Sequence, residues 1–175
     1  MYADRTLVPT EAVRLAALGF LADGADTYGG LAVAVRQFIA RTVGPSADLL
    51  GPSIELLRLE GLIAADGGTP MAPDARLAMT DAGVAAFRTL LEAPVRATEG
   101  DLNRLVVALK LRFLRHLDGP VRAEVVDGLV NAAERERERL QGLRRSDAAL
   151  GDFAGWLDLD IAQLDRRIDW LRRLA

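Results

Sequence analysis

SADLLGPSIELLRLEGLIAADGGTPMAPDARLAMTDAG, residues 46–83, is the stretch whose reading decides the fold. Ile54, Leu57 and the run Gly61-Leu62-Ile63 put apolar side chains three to four positions apart, the spacing of one buried helix face. Glycine then ends the helix, because it takes the left-handed C-terminal conformation without strain. A short β-like run follows, and Asp66-Gly67-Gly68-Thr69-Pro70 makes a turn and loop. Ala75-Arg76-Leu77-Ala78-Met79 reads as a second short strand, and Thr80-Asp81-Ala82-Gly83 opens the next helix with Thr80 as its cap. Helix, strand, loop, strand, helix is the winged form of the helix-turn-helix, an arrangement that reads double-stranded DNA.

The rest of the composition agrees with a mainly α chain carrying a small two-stranded wing, an α+β fold. Half of the 175 residues are hydrophobic but only 5% are aromatic, so the core is built mainly from Leu, Val and Ala, and Ala and Leu favour helix. No apolar run approaches the roughly 20 residues of a membrane span, and Met1 to Val8 has no signal-peptide core. The chain has no cysteine and one histidine, His116, which excludes disulfides, thiolate chemistry and any site needing two imidazoles. Gly67-Gly68 lacks the following Lys-Ser/Thr of a phosphate loop. These absences point away from an enzyme: no catalytic residue, metal ligand or cofactor is expected, and the protein is expected in the cytoplasm.

Outward from residues 46–83, the first helix begins at Thr10-Glu11 and buries Val13, Leu15, Leu18 and Leu21. The second starts near Gly29-Gly30 and uses Leu31, Val35, Phe38 and Ile39. Gly44-Pro45 breaks it. Ser46 is a good N-cap for the third, although Pro52 fits only a first helical turn and allows a start near Gly51. A fourth helix runs from Thr80 to about Leu91, and Ala93-Pro94 marks a boundary between a winged-helix module, residues 1–95, and an all-helical dimerisation half, residues 96–175. That half holds a helix over Asp101 to Leu117, a stop and turn at Asp118-Gly119-Pro120, and a helix over Val121 to Leu143. The alternating charges Glu134 to Arg139 read as a solvated face laced with pairs three and four apart. Residues from Ser146 to Gly155 form a linker, and a last helix runs from Trp156 to Leu174. Its Leu157, Ile161, Leu164, Ile168 and Leu171 repeat by four, three, four, three, the seam of a helix that packs along another helix. Such a seam can pair within the chain, but two or three helices make a thin core, so a homodimer through this half is expected. His116 reads as a capping or surface residue, and Asp158, Asp160 and Asp165 as solvated carboxylates opposite the seam.

In order and content these pieces resemble the PadR family of bacterial winged-helix transcriptional regulators. Pro52, Ile54, Leu57 and Glu60-Gly61-Leu62-Ile63 match the family's third helix and its Glu-Gly-Leu-Ile exit, and Met79-Thr80-Asp81-Ala82-Gly83 stands in the place of Leu-Thr-x-x-Gly. Thr10-Glu11 with Leu15, Leu18 and Leu21 resembles the first helix, Tyr28-Gly29-Gly30-Leu31 its Gly-Tyr-Glu-Leu, and Trp170-Leu171 a C-terminal Trp-Leu pair. The resemblance spans nearly the whole chain. It implies a homodimer that binds operator DNA through the third helix and wing, and release by a small, flat aromatic effector lodged between helical half and reading heads. Arg36, Arg41, Ser46, Ser53 and Arg76 are the candidate DNA contacts, since arginine grips phosphate or guanine and serine donates to either. Phe113, Trp156, Ile161, Leu164, Ile168, Trp170 and Leu171 are the candidates for effector pocket or dimer interface. For Trp156, Trp170 and Phe113, core or dimer packing is the simpler expectation.

The chain departs from the family pattern at the reading head. Gly51 stands where an aromatic is usual and Glu55-Leu56 where a basic pair is usual. Asp66 to Ala75 holds two acids and no base, and residues 1–95 carry seven arginines against eleven acids, a net of −4. DNA affinity that does not depend on sequence comes from cations neutralising phosphates. The alternative is therefore a winged-helix dimer that has lost DNA binding and serves ligands or protein partners.

Overall fold

The computed structural model of the chain describes residues 6–25, 27–44, 53–66, 72–98, 100–146 and 151–174. Its elements run α1 (Pro9–Ala22), α2 (Tyr28–Val43), α3 (Ser53–Leu59), β1 (Ile63–Asp66), β2 (Arg76–Met79), α4 (Asp81–Glu92), α5 (Asp101–Phe113), a 3-10 turn (Leu114–His116), α6 (Gly119–Ser146) and α7 (Asp152–Arg172). The chain is mostly helical with one two-stranded antiparallel sheet, in the order of a winged helix.

Local chemistry sets the element ends. Pro9 occupies the first turn of α1, where its missing N–H costs nothing, and Glu11 accepts from the Val8 N–H at 2.8 Å. Thr27 caps α2 by accepting from the Gly30 N–H at 3.1 Å, and Gly61 at φ 72° follows α3, as expected of a glycine stop. Thr80 caps α4 through the Gly83 N–H at 3.1 Å and donates its hydroxyl to the Gly61 carbonyl at 2.7 Å, so one side chain ties α4 to the exit of α3. The strands pair Ile63 with Met79 through Asp66 with Arg76. Thr27 adds an isolated antiparallel bridge to Arg76, a third strand reduced to one residue that the sequence did not announce.

α1 lies at the centre, against α2, α3, α4, α5 and β2. Its Leu15 and Leu18 meet Leu31, Val35 and Ile39 of α2, Leu57 of α3 and Leu91 of α4 in one buried cluster. α5 packs on α1 and α2, so although the sequence boundary at residue 95 falls before it, its apolar face completes the core of the preceding helices. Phe113 is the hinge of that packing. It is fully buried edge-on to Phe20 at 5.5 Å and Phe87 at 5.9 Å, and its ring fills the space left by Gly19, where a Cβ would sit 2.3 Å from it. Asp23, buried at the end of α1, accepts from Arg112 at 3.2 Å, from Arg115, and lies 2.8 Å from His116 Nε2. His116 is therefore part of the joint between α1 and the end of α5, neither a helix cap nor a free surface group.

Three boundaries differ from the sequence expectation. α5 ends at Phe113 and tightens into the 3-10 turn. Asp118-Gly119-Pro120 does not stop a helix but starts one: Pro120 sits in the first turn of α6, where no amide partner is needed. α7 begins at Asp152, inside what reads as linker, so Trp156 lies in its second turn.

The charged run on α6 is also not a simple solvated face. Glu134 accepts from Arg172 at 2.6 Å, Arg137 donates to Asp165 at 3.0 Å and Arg144 to Asp158 at 3.0 Å, a ladder of pairs that clamps α7 along α6. Glu136 is buried and held by two 2.8 Å bonds from Arg139. Asp158 and Asp165 are thus rungs of the ladder. Such exposed rungs are worth about 0.2–1 kcal/mol each. Replacing Arg137 with alanine is expected to lower urea stability by about 0.5 kcal/mol at low salt and by less at 1 M salt. A loss that does not shrink with salt would mean that packing, not charge, holds this rung.

Candidate nucleic-acid interface

The surface that a winged helix offers to DNA is built here from α2, α3 and the two strands. α3 has seven described residues; Ile54 and Leu57 face the core, which turns Glu55, Leu56 and Leu59 outward, Leu59 at 68% exposure. Arg58 between them is half-buried and its Nε is shielded without a hydrogen-bond partner. Glu60, at the helix end, is drawn back by Arg14 of α1. The outward face of α3 therefore presents a carboxylate and two leucines. Leucine can contact a thymine methyl and glutamate can accept from a cytosine amino group, but neither neutralises a phosphate.

Cations lie around this face rather than on it. Arg36 and Arg41 are both exposed on α2, five residues and so about 140° apart around the helix, flanking its solvent side rather than lining up along it. Arg76 is exposed at the start of β2, opposite Asp66 in the ladder and bridged through its backbone to Thr27 at the entry of α2. Ser53 is the first residue of α3. Ser46 and Gly51 fall outside the described residues, as does the wing tip. The sequence singled out Arg36, Arg41 and Arg76 by chemistry, but missed Leu59, whose exposure follows only from which side of α3 the core takes.

In the helical half the predicted residues separate into three groups. Leu164, Ile168 and Leu171 are buried against α6, with Ile161 half-buried beside them, so the seam expected to join two chains is filled within one. Phe113 is enclosed in the core around α1 and offers no surface to an effector or a second protomer. Trp156 and Trp170, expected in core or dimer packing, are outside the core, at 61% and 44% exposure. Between α5 and the α6–α7 hairpin lies a groove of about 630 Å³. Val107 and Leu111 form one wall, Ala132 and Ala133 the floor, and Trp170 and Arg167 the other wall. Leu164 and Leu171 reach it; Trp156, Ile161 and Ile168 do not. No described helix is long and apolar enough to cross a membrane.

A family model described as "Putative AphA-like transcriptional regulator" matches residues 2–175. No curated protein matches the chain. The PadR resemblance pointed to the same class of protein, and it is the class, not PadR membership, that the match carries. With a winged-helix order of elements and a match over residues 2–175, the chain belongs to the AphA-like family of transcriptional regulators.

Proposed function

We propose that this regulator works as a homodimer that binds operator DNA, each protomer presenting α3 and the wing, and that a small aromatic ligand seated beside Trp170 releases it. The reading rests above all on the helix–helix–wing order around α3 in a chain of a transcriptional-regulator family. Arg36, Arg41 and Arg76 would hold phosphates while Leu56, Leu59 and Glu55 meet base edges. The operator would be a two-fold repeat with half-sites about one helical turn, or a multiple of it, apart.

The test is a salt titration of binding to random duplex DNA by fluorescence anisotropy. Six arginine–phosphate contacts per dimer predict that log K falls with log salt at a slope of about −5. Alanine at Arg36, Arg41 and Arg76 together is expected to flatten that slope towards zero. A second reading has a specific observation behind it: the outward face of α3 is Glu55, Leu56 and Leu59, with no cation. On that reading the module meets a protein or ligand, and no binding to duplex appears even at low salt.

A further inference from the structure

Lys110 is the one lysine of a chain that otherwise takes its positive charge from arginine. An arginine stays charged at any ordinary pH, so among the basic residues Lys110 is the one that can present a neutral, nucleophilic amine. It is 1% exposed on α5 and donates to the Leu90 carbonyl at 3.3 Å and to the Leu91 carbonyl, at the end of α4. Those contacts alone would make it a structural cap of α4. A second observation sets it apart: Lys110 borders a cavity of about 330 Å³ enclosed by the exit of α4, by α5 and by α6, a volume in the range of small-molecule sites. Beside Lys110 the buried lining is Val95, Val125 and Leu129, while Glu92, Glu124 and Gly128 are exposed at the rim. The cavity shares Val95 and Leu129 with the groove at Trp170, but no tryptophan or arginine among the described residues borders it.

We infer that this cavity is a second small-molecule site, in which Lys110 takes up a small, neutral aldehyde as an imine. The nitrogen lone pair attacks the carbonyl carbon, the carbonyl oxygen is protonated to give a carbinolamine, and that oxygen leaves as water. In sum, an aldehyde and the Lys110 ammonium give an iminium and water, so the charge is kept and no oxidant or reductant is consumed. Burial lowers the pKa of the amine to about 8, against the raising effect of Glu92. Roughly a quarter of it is therefore neutral at pH 7.5, compared with about a thousandth of an ordinary lysine. The apolar lining suits a hydrocarbon tail, and the carboxylates of Glu92 and Glu124 favour a positive nitrogen while repelling anionic carbonyl compounds such as keto acids. The ammonium has three N–H donors and the iminium one, so an adduct gives up one of the two carbonyls at the end of α4. That loss falls where the winged module meets the helical half.

This site does not depend on the operator-binding reading, and its test contains no DNA. The protein is treated with butanal and cyanoborohydride, which reduces the imine to a stable butylamine, and the label is mapped by peptide mass spectrometry. The α-amino group of the purified chain, with an ordinary pKa of about 8, is the internal reference for an amine outside the cavity. Lys110 is expected to label at least about fivefold faster than this reference, at a rate that saturates as butanal is raised, because the aldehyde binds before it reacts. Pyruvate is expected to label it at least about tenfold more slowly than butanal. Gly128→Phe sets a ring at the rim, where a Cβ meets nothing within 4 Å, and is expected to remove most of the Lys110 label with the reference rate and the circular dichroism unchanged. Labelling of Lys110 no faster than the reference, a rate that stays linear in butanal, or an undiminished rate in a folded Gly128→Phe overturns the proposal. Equal labelling by pyruvate overturns the ligand class. The wild-type rates decide the case by themselves if the variant does not fold.

Discussion

Replacing Gly83 with alanine is expected to destabilise the fold by about 2–3 kcal/mol, lowering the melting temperature by roughly 5–10 °C. A Cβ at this position would lie 2.0 Å from the carbonyl oxygen of Leu62 and 2.7 Å from Met79 Cγ. The carbonyl cannot step aside cheaply. It accepts from the Thr80 N–H at 3.1 Å, with the Thr80 hydroxyl oxygen also 3.1 Å away, in the corner where α3 leads into β1 and β2 into α4. Alanine's better helix propensity returns only about 1 kcal/mol, less than the overlap of a side chain with backbone costs. Gly128→Ala makes the contrast. Gly128 is exposed in α6 with nothing within 4 Å of its would-be Cβ, so the same substitution is expected to stabilise by about 0.5–1 kcal/mol. Paired urea titrations measure both. Opposite signs, with the larger effect at Gly83, carry the steric argument, and a neutral Gly83→Ala would sink it.

Lys110 is expected to make stability rise with pH above neutrality. The side chain is 1% exposed, and its ammonium donates to the Leu90 carbonyl at 3.3 Å and to the Leu91 carbonyl, at the C-terminal end of α4. Burial lowers its pKa to about 8, with the nearby charge of Glu92 pulling the other way. The unfolded chain holds the proton up to about pH 10.4. Between these values the unfolded state binds more protons than the folded one, so stability increases as pH rises from about 8 to about 10.4 and is flat in this respect below 8. A shift of this size corresponds to about 3 kcal/mol across the window. Lys110→Met keeps the stem and removes the titration. Urea stability measured at pH 7.5 and pH 10 should therefore rise more steeply in the wild type than in the variant. Parallel pH dependences would show that the ammonium stays charged in the fold.

Both residues also show how far the sequence could be read. Thr80 and Gly83 stand three apart before an amphipathic run, which announces a capped helix. Their pattern does not say that Gly83 is there to let α4 touch Leu62. Lys110, a lone lysine among 21 arginines, gave no sign that it would be buried. Its position on α5 reads as ordinary until α4 is brought against it.

For the candidate site, sequence chemistry singled out Arg36, Arg41 and Arg76 as candidate DNA-contacting cations, and all three are exposed. It could not say that Leu59 is turned outward. It left open whether the apolar stripe of α7 pairs within the chain or between chains; α6 fills it within the chain. What stays exposed on α7 is the next flank round, marked by Trp156 and Trp170.

The sequence by itself determined the two-stranded wing, the helix cap at Thr80 and the glycine stop after α3. Those features depend on residues a few positions apart, where backbone propensity and capping act. Only the tertiary structure decided that α5 completes the first core through Phe113 under Gly19, that the charges of α6 bind α7, and which face of α7 is left open. The physical reason is that an apolar period states that a face is buried but not against what. Which surface covers it is settled by shape and charge at contacts between distant segments.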